Sequence, residues 1–129
     1  MKVEFFADGS AESPLVLLYG PDPNDAATLS DALGGLAQSI VTGVAVHELP
    51  GFVSVDGCQL FASVARSDVG VKMVASPAVF DCALRRETWA HVVGLLEPFF
   101  HAPEGPGTQF QYLDETGDVR LLISTKRAW

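Results

Sequence analysis

FVSVDGCQLFASV, residues 52–64, is the stretch whose reading decides the fold. Asp56-Gly57 stands between two runs of strand-forming residues. Asp-Gly suits a two-residue type I′ turn because both central residues must take positive φ. Read as a hairpin, the stretch pairs Val55 with Cys58, Val53 with Leu60 and Phe52 with Phe61. Side chains alternate along a strand, so one face carries Val53, Val55, Cys58, Leu60, Ala62 and Val64. The other carries Ser54, Gln59 and Ser63 beside the two phenylalanines. Phe52 and Phe61 are core if a helix covers that face, and a natural anchor for a partner if it is open.

Downstream, Val71–Ser76 and Val79–Leu84 read as strands divided by Pro77. A helix follows over Arg86–Glu97, with an apolar stripe of Trp89, Val92, Val93, Leu96 and Phe100, and Pro98 weakens its end. Residues 101–108 form a loop, and Gln109–Leu113 and Val119–Ser124 a last hairpin. Upstream, Val44–Leu49 is a strand closed by Pro50-Gly51. Before it, Asp22 caps a helix whose first residue is Pro23 and whose first turn holds Asp25. Leu29, Leu33, Leu36 and Ile40 form its stripe, and Gly34-Gly35 either end it early or allow a close approach to the sheet. Leu15–Tyr19 is a buried strand broken by Gly20-Pro21, and Val3–Ala7 a first short one.

The order is β-β-α-β-β-β-β-β-α-β-β. It predicts one α+β domain over residues 1–129, a mostly antiparallel sheet of about seven to nine short strands with two helices mainly on one face. The one place for a parallel crossover runs from Leu15 through the first helix to Val44–Leu49. No internal repeat is visible.

Charge is distributed unevenly. Residues 1–65 hold eight acids against Lys2 alone, a net −7, while residues 66–129 hold eight acids against seven bases, a net −1. Such a field disfavours nucleic acid and anionic lipid and favours a partner with a basic surface. Charged residues make up 19% of the chain, below the usual ~25%, and this scarcity predicts a homodimer that covers an apolar face. Acids interrupt the N-terminal apolar run after two or three residues, which does not fit a secretory signal, and no run reaches a membrane span. Two cysteines make no disulfide framework, so the expected location is the cytoplasm.

The candidate chemistry is thin. The turn after Tyr19 lacks the GxxxxGK[ST] and GxGxxG patterns and offers carboxylates where a phosphate needs donors. Cys58 and Cys82 fall on inward faces, where a thiol packs as a small hydrophobe. Glu87 and His91 share a helix face at i, i+4 and could hold a metal ion with His101 or His47-Glu48, but two ligands in register do not make a site. Asp114, Glu115 and Asp118 surround Gly117 without the spacing of a Ca²⁺ loop. No cofactor motif is present. Arg85-Arg86 places positive charge at a helix N-terminus, against the dipole, so these two residues are candidates for a contact, most simply with acids of the N-terminal half.

The sequence therefore predicts a small acidic protein-binding module without catalytic machinery, of the kind found among inhibitors, immunity proteins and chaperones. The alternative is a ligand or metal site, or an enzyme, assembled between the second helix and the sheet near His91, Glu87, His47 and Arg85.

Overall fold

A computed structural model describes residues 1–20, 22–101 and 107–129. The expected break at Pro21 and the middle of the 101–108 loop lie outside the described residues. The helices follow local chemistry. α1 (Pro23–Ala37) opens with a capping box in which Asp22 accepts from the Asp25 amide and Asp25 accepts from the Asp22 amide. It buries Ala26, Leu29, Leu33 and Leu36. Ile40 lies past its end and is 73% exposed, so the last member of the expected stripe is not core. α2 (Arg86–Leu95) buries Trp89 and Val92, and the chain tightens after it into a 3-10 turn, Glu97–Phe100, that begins ahead of Pro98.

The strands are β1 (Lys2–Phe6), β2 (Leu15–Tyr19), β3 (Gly43–Ala45), β4 (Val53–Ser54), β5 (Gln59–Val64), β6 (Gly70–Ala75), β7 (Val79–Leu84), β8 (Phe110–Asp114) and β9 (Arg120–Ser124). The α+β class and the order of helices and strands are as expected, although the strand expected over Val44–Leu49 shortens to β3 and gives way to a 3-10 turn, Val46–Glu48. The pairing is not. The strands form two mixed sheets, ordered β4-β1-β2-β9-β8 and β3-β5-β7-β6. Neighbours β1–β2, β3–β5, β6–β7 and β8–β9 are antiparallel, while β1–β4, β2–β9 and β5–β7 are parallel. The expected crossover from β2 through α1 does not return to its own sheet, because β3 pairs with β5 in the second sheet.

The hairpin expected at residues 52–64 is corrected in an informative way. Asp56 and Gly57 do take positive φ, 51° and 71°, and the Cys58 amide donates to the Val55 carbonyl at 3.1 Å. The turn forms, but β4 then pairs with β1 and β5 with β3 and β7, so the two arms enter different sheets. Phe52 is buried, Val53 is 56% exposed and Phe61 is 38% exposed, so the two phenylalanines are not a cross-strand pair.

One core joins the inner faces of both sheets to both helices. Val3, Val16, Leu18, Leu121 and Ile123 contribute from the first sheet, Leu60, Ala62, Phe80, Cys82 and Leu84 from the second. The outer face of the first sheet holds Leu15, Leu17, Tyr19 and Leu122, packed against Phe6, Tyr112 and Trp129.

The topology contains a repeat that the sequence conceals. Hairpin β1–β2, helix α1 and the antiparallel pair β3–β5 are followed by hairpin β6–β7, helix α2 and the antiparallel pair β8–β9. Exchanging the members of the two halves converts β1-β2-β9-β8 into β6-β7-β5-β3, so each sheet is made from one pair of each half. The N-caps Asp22 and Arg85 are 63 positions apart. So are the buried positions Ala26, Leu29, Leu33 and Leu36 and their counterparts Trp89, Val92, Leu96 and Phe99. The strands break this spacing by one residue, since Val16 and Leu18 face the core while Phe80 and Cys82, not Val79 and Asp81, do so later. A slip of one exchanges the faces of a strand, which hides the repeat from any fixed-offset comparison.

Candidate functional site

α1 and β3 border a groove of about 780 Å³. The short connection 38–42 sets its shape, for the Gly35 carbonyl accepts from both Ile40 and Val41 amides at 2.9 and 3.2 Å and turns the chain sharply out of the helix. Exposed Ile40 and Val41 then stand at the groove with Val44, Leu49 and Val93. Asp31 and Glu48 are the charged residues of its lining, and no basic side chain lines it among the described residues. Glu48 is 74% exposed. The neighbouring His47 sets Nδ1 3.1 Å from the Leu60 amide nitrogen and 3.2 Å from the Leu60 carbonyl oxygen, with Nε2 3.9 Å from Glu48 Oε1. Its ring packs edge-on against Phe61, with centroids 5.0 Å apart.

Two glycines of α1 line this groove for different reasons. A Cβ at Gly35 would meet Val41 Cγ2 at 3.2 Å, so that glycine serves the tight turn after the helix. A Cβ at Gly34 would meet nothing within 4 Å. Glycine in a helix interior costs about 1 kcal/mol relative to alanine, and at Gly34 no packing contact among the described residues requires it.

β3 lies at an end of the second sheet. The Val64 amide donates to the Thr42 carbonyl, and Gly43 stands opposite Ser63. Antiparallel pairs alternate between bonded and non-bonded, so Gly43 and Ala45 turn their N–H groups away from β5. The other edges are guarded or short. β6 has Lys72, a bulge between Met73 and Ala75, and a bridge from Val71 to Val119. β8 has a bulge between Tyr112 and Asp114, and β4 has two residues.

A second groove, about 430 Å³, brings Arg66 together with Arg85, Arg86 and Glu87 at the start of α2. The acid that meets Arg85 is Asp68, not one of the N-terminal half as expected. Asp68 accepts from the Arg85 amide at 2.9 Å, from Arg85 Nη2 at 3.3 Å and from Thr88 Oγ1 at 2.9 Å. Among the described residues no side chain caps the first-turn amides of α2, but Asp68 sets a carboxylate beside the helix start and offsets the Arg85 guanidinium there. The backbone bond from Arg85, aided by Thr88 and the guanidinium, holds its carboxyl below the usual range. Arg86 reaches Ser39 Oγ at 2.7 Å, so this pair of arginines fastens α2 to its surroundings.

A third groove, about 560 Å³, lies where the C-terminal tail crosses the outer face of the first sheet and is lined by Glu12, Phe110, Tyr112, Arg127 and Trp129 among others. Arg127 there binds the buried Glu4 with two bonds of 3.0 and 2.8 Å, and Tyr19 donates to the same carboxylate at 2.8 Å. The Arg127 bonds outweigh burial and hold Glu4 below the carboxylate range, while burial and Glu4 push the Tyr19 phenol up.

The remaining candidates do not converge. Glu87 and His91 are exposed, neither His47 nor His91 lines the groove that holds Arg85 and Glu87, and no group of three or more metal-ligating residues exists among the described residues. Cys58 and Cys82 are buried free thiols. Burial pushes Cys58 up to about 11 and Cys82 well above its ordinary value, so both resist becoming thiolate nucleophiles. Asp114 is occupied within its own hairpin tip, accepting from the amide and hydroxyl of Thr116. Sequence reasoning missed the α1–β3 groove because it ran the helix on to Ile40; the signal that could have revealed it was the Gly34-Gly35 pair.

Compared with known proteins, the chain matches no family model, no curated protein and no solved structure. Among the described residues no helix is long and apolar enough to cross a membrane.

Proposed function

We propose that this protein is a non-enzymatic binding module for a protein partner with a basic surface, and that the partner docks at the α1–β3 groove. The observation that carries this reading is the composition of the groove: Ile40 and Val41 exposed beside Asp31 and Glu48, in the half of the chain with net charge −7. Apolar side chains in a groove supply affinity, and single-sign charge around them selects the partner and speeds its approach.

The test uses the blocked hexapeptide (Lys-Val)₃ and its acidic counterpart (Glu-Val)₃, titrated calorimetrically at about 50 and about 300 mM salt. The expected result is binding of the basic peptide alone, at least about tenfold weaker at the higher salt and weakened again by Asp31→Asn with Glu48→Gln. Equal binding of both peptides, or no response to salt, overturns the reading. The homodimer expected from composition is the competing occupant of this surface. Sedimentation over a range of concentrations that shows a dimer lost on Ile40→Ser would likewise overturn docking of a foreign partner.

A further inference from the structure

We infer that the partner enters the groove as an extended segment and adds a strand to the free edge of β3. This rests on the reading of the groove as a docking site for a basic partner, and specifies the form in which that partner binds. β3 is an end strand of three residues that directs the Gly43 and Ala45 N–H groups outward, and neither lysine nor bulge interrupts it. The groove lies between that edge and the face of α1 that bears Gly34 and Gly35. At Gly34 the helix backbone is bare although a Cβ there would meet nothing, which leaves room for a second backbone to lie close against it. Main-chain bonds to a sheet edge give affinity independent of sequence, and side chains alternating about the new strand give selection. Here one set of side chains would meet Ile40, Val41 and Val44, and cationic residues would meet Asp31 and Glu48. The occupant is thus an extended polypeptide in which apolar and basic residues alternate, supplied by a basic protein.

Strand addition differs from charge attraction in what it demands of the backbone. On saturation with blocked (Lys-Val)₃, hydrogen exchange of the Gly43 and Ala45 amides is expected to slow at least about tenfold, while the Val44 amide, which faces β5, changes little. Two analogues N-methylated at alternate residues, one set on each edge of the peptide, keep charge and side chains. The set that blocks the edge facing β3 should lose binding at least about tenfold and the other should retain it. Gly34→Leu, at a position with open space, should fill the groove and abolish binding without unfolding the protein. Gly43→Pro, which removes an outward amide, should weaken it as well. Salt-sensitive binding of the basic peptide with equal tolerance of both methylated sets and no protection at Gly43 would overturn strand addition and leave the electrostatic reading standing. Failure of every basic peptide to bind at low salt would overturn both.

Discussion

In the half built from residues 2–64, five residues, 38–42, connect the helix to its next strand; in the half built from residues 70–124, fourteen residues, 96–109, make the same connection. The short one turns back on Gly35 and leaves an open groove with exposed Ile40 and Val41. The long one begins with a 3-10 turn that buries Phe99. The halves also differ in how their helices are anchored. α1 is capped by its own Asp22 and Asp25, whereas the start of α2 is held through the Arg85 amide by Asp68 from another segment. At equivalent positions α1 buries the small Ala26 and α2 the large Trp89, whose Nε1 donates to the Ser63 carbonyl of β5 at 2.8 Å. The near-neutral half has the heavier anchor, whereas the acidic half has the open surface. A repeat can thus divide its labour, one copy holding the core while the other presents a face.

The largest expected effect tests the anchor. Trp89→Ala leaves a cavity and removes the Nε1 bond to the Ser63 carbonyl, and should cost about 3–5 kcal/mol in urea unfolding. Trp89→Phe, which keeps most of the ring and loses the bond, should cost about 1–2 kcal/mol. A cost for Trp89→Ala no greater than about 1 kcal/mol would show that the two helices are held alike.

Capping comes next. Asp25→Ala removes half of the capping box and the bond to the Met1 ammonium at 2.8 Å, and should destabilise by about 1–2 kcal/mol. Asp68→Ala should cost about 1 kcal/mol through α2. Because the Asp68 carboxyl is held low, its contribution is complete above the unfolded value of about 3.9 and is lost as pH falls through the lower folded value. Glu4, held low chiefly by Arg127, behaves in the same sense from its unfolded value of about 4.3. Urea midpoints measured stepwise from pH 5 to about pH 2 should therefore fall less steeply in Asp68→Asn than in the parent. An unchanged slope would remove Asp68 as an anchor of the start of α2.

The smallest effect separates the two glycines. Gly34→Ala should stabilise α1 by up to about 1 kcal/mol, since its Cβ meets nothing. Gly35→Ala should gain less or lose, because Val41 must move. Thermal midpoints that rise equally in both would mean that the turn after α1 is looser than its contacts indicate.

The helices were legible in the sequence because their signals are local: Asp22-Pro23 at one start, and apolar residues at three- and four-residue spacing in both. The order of strands was legible for the same reason. Their partners were not. Asp56-Gly57 dictates a turn through two positive φ angles, but it does not dictate that the arms pair, and β4 finds β1 about fifty residues away in the chain. Such pairings depend on which edges remain free once the other strands have met. The groove was half legible. Gly34-Gly35 flagged a choice between ending the helix and approaching a neighbour, and only the backbone shows that one glycine serves each purpose. Arg85 and Arg86 make contacts within the fold, but the acid that Arg85 meets, Asp68, comes from the loop ahead of β6 and not from the acidic half.

Each half lends a strand pair to a sheet led by the other, and this has a consequence for what a broken chain would do. A cut in the exposed stretch at Arg66-Ser67, between β5 and β6, severs no pairing, because the β2–β9 and β5–β7 seams run between the resulting pieces. Neither piece could close a core by itself, yet mixed together they would have every surface needed to re-form the whole. Circular dichroism would show two disordered fragments becoming one ordered complex.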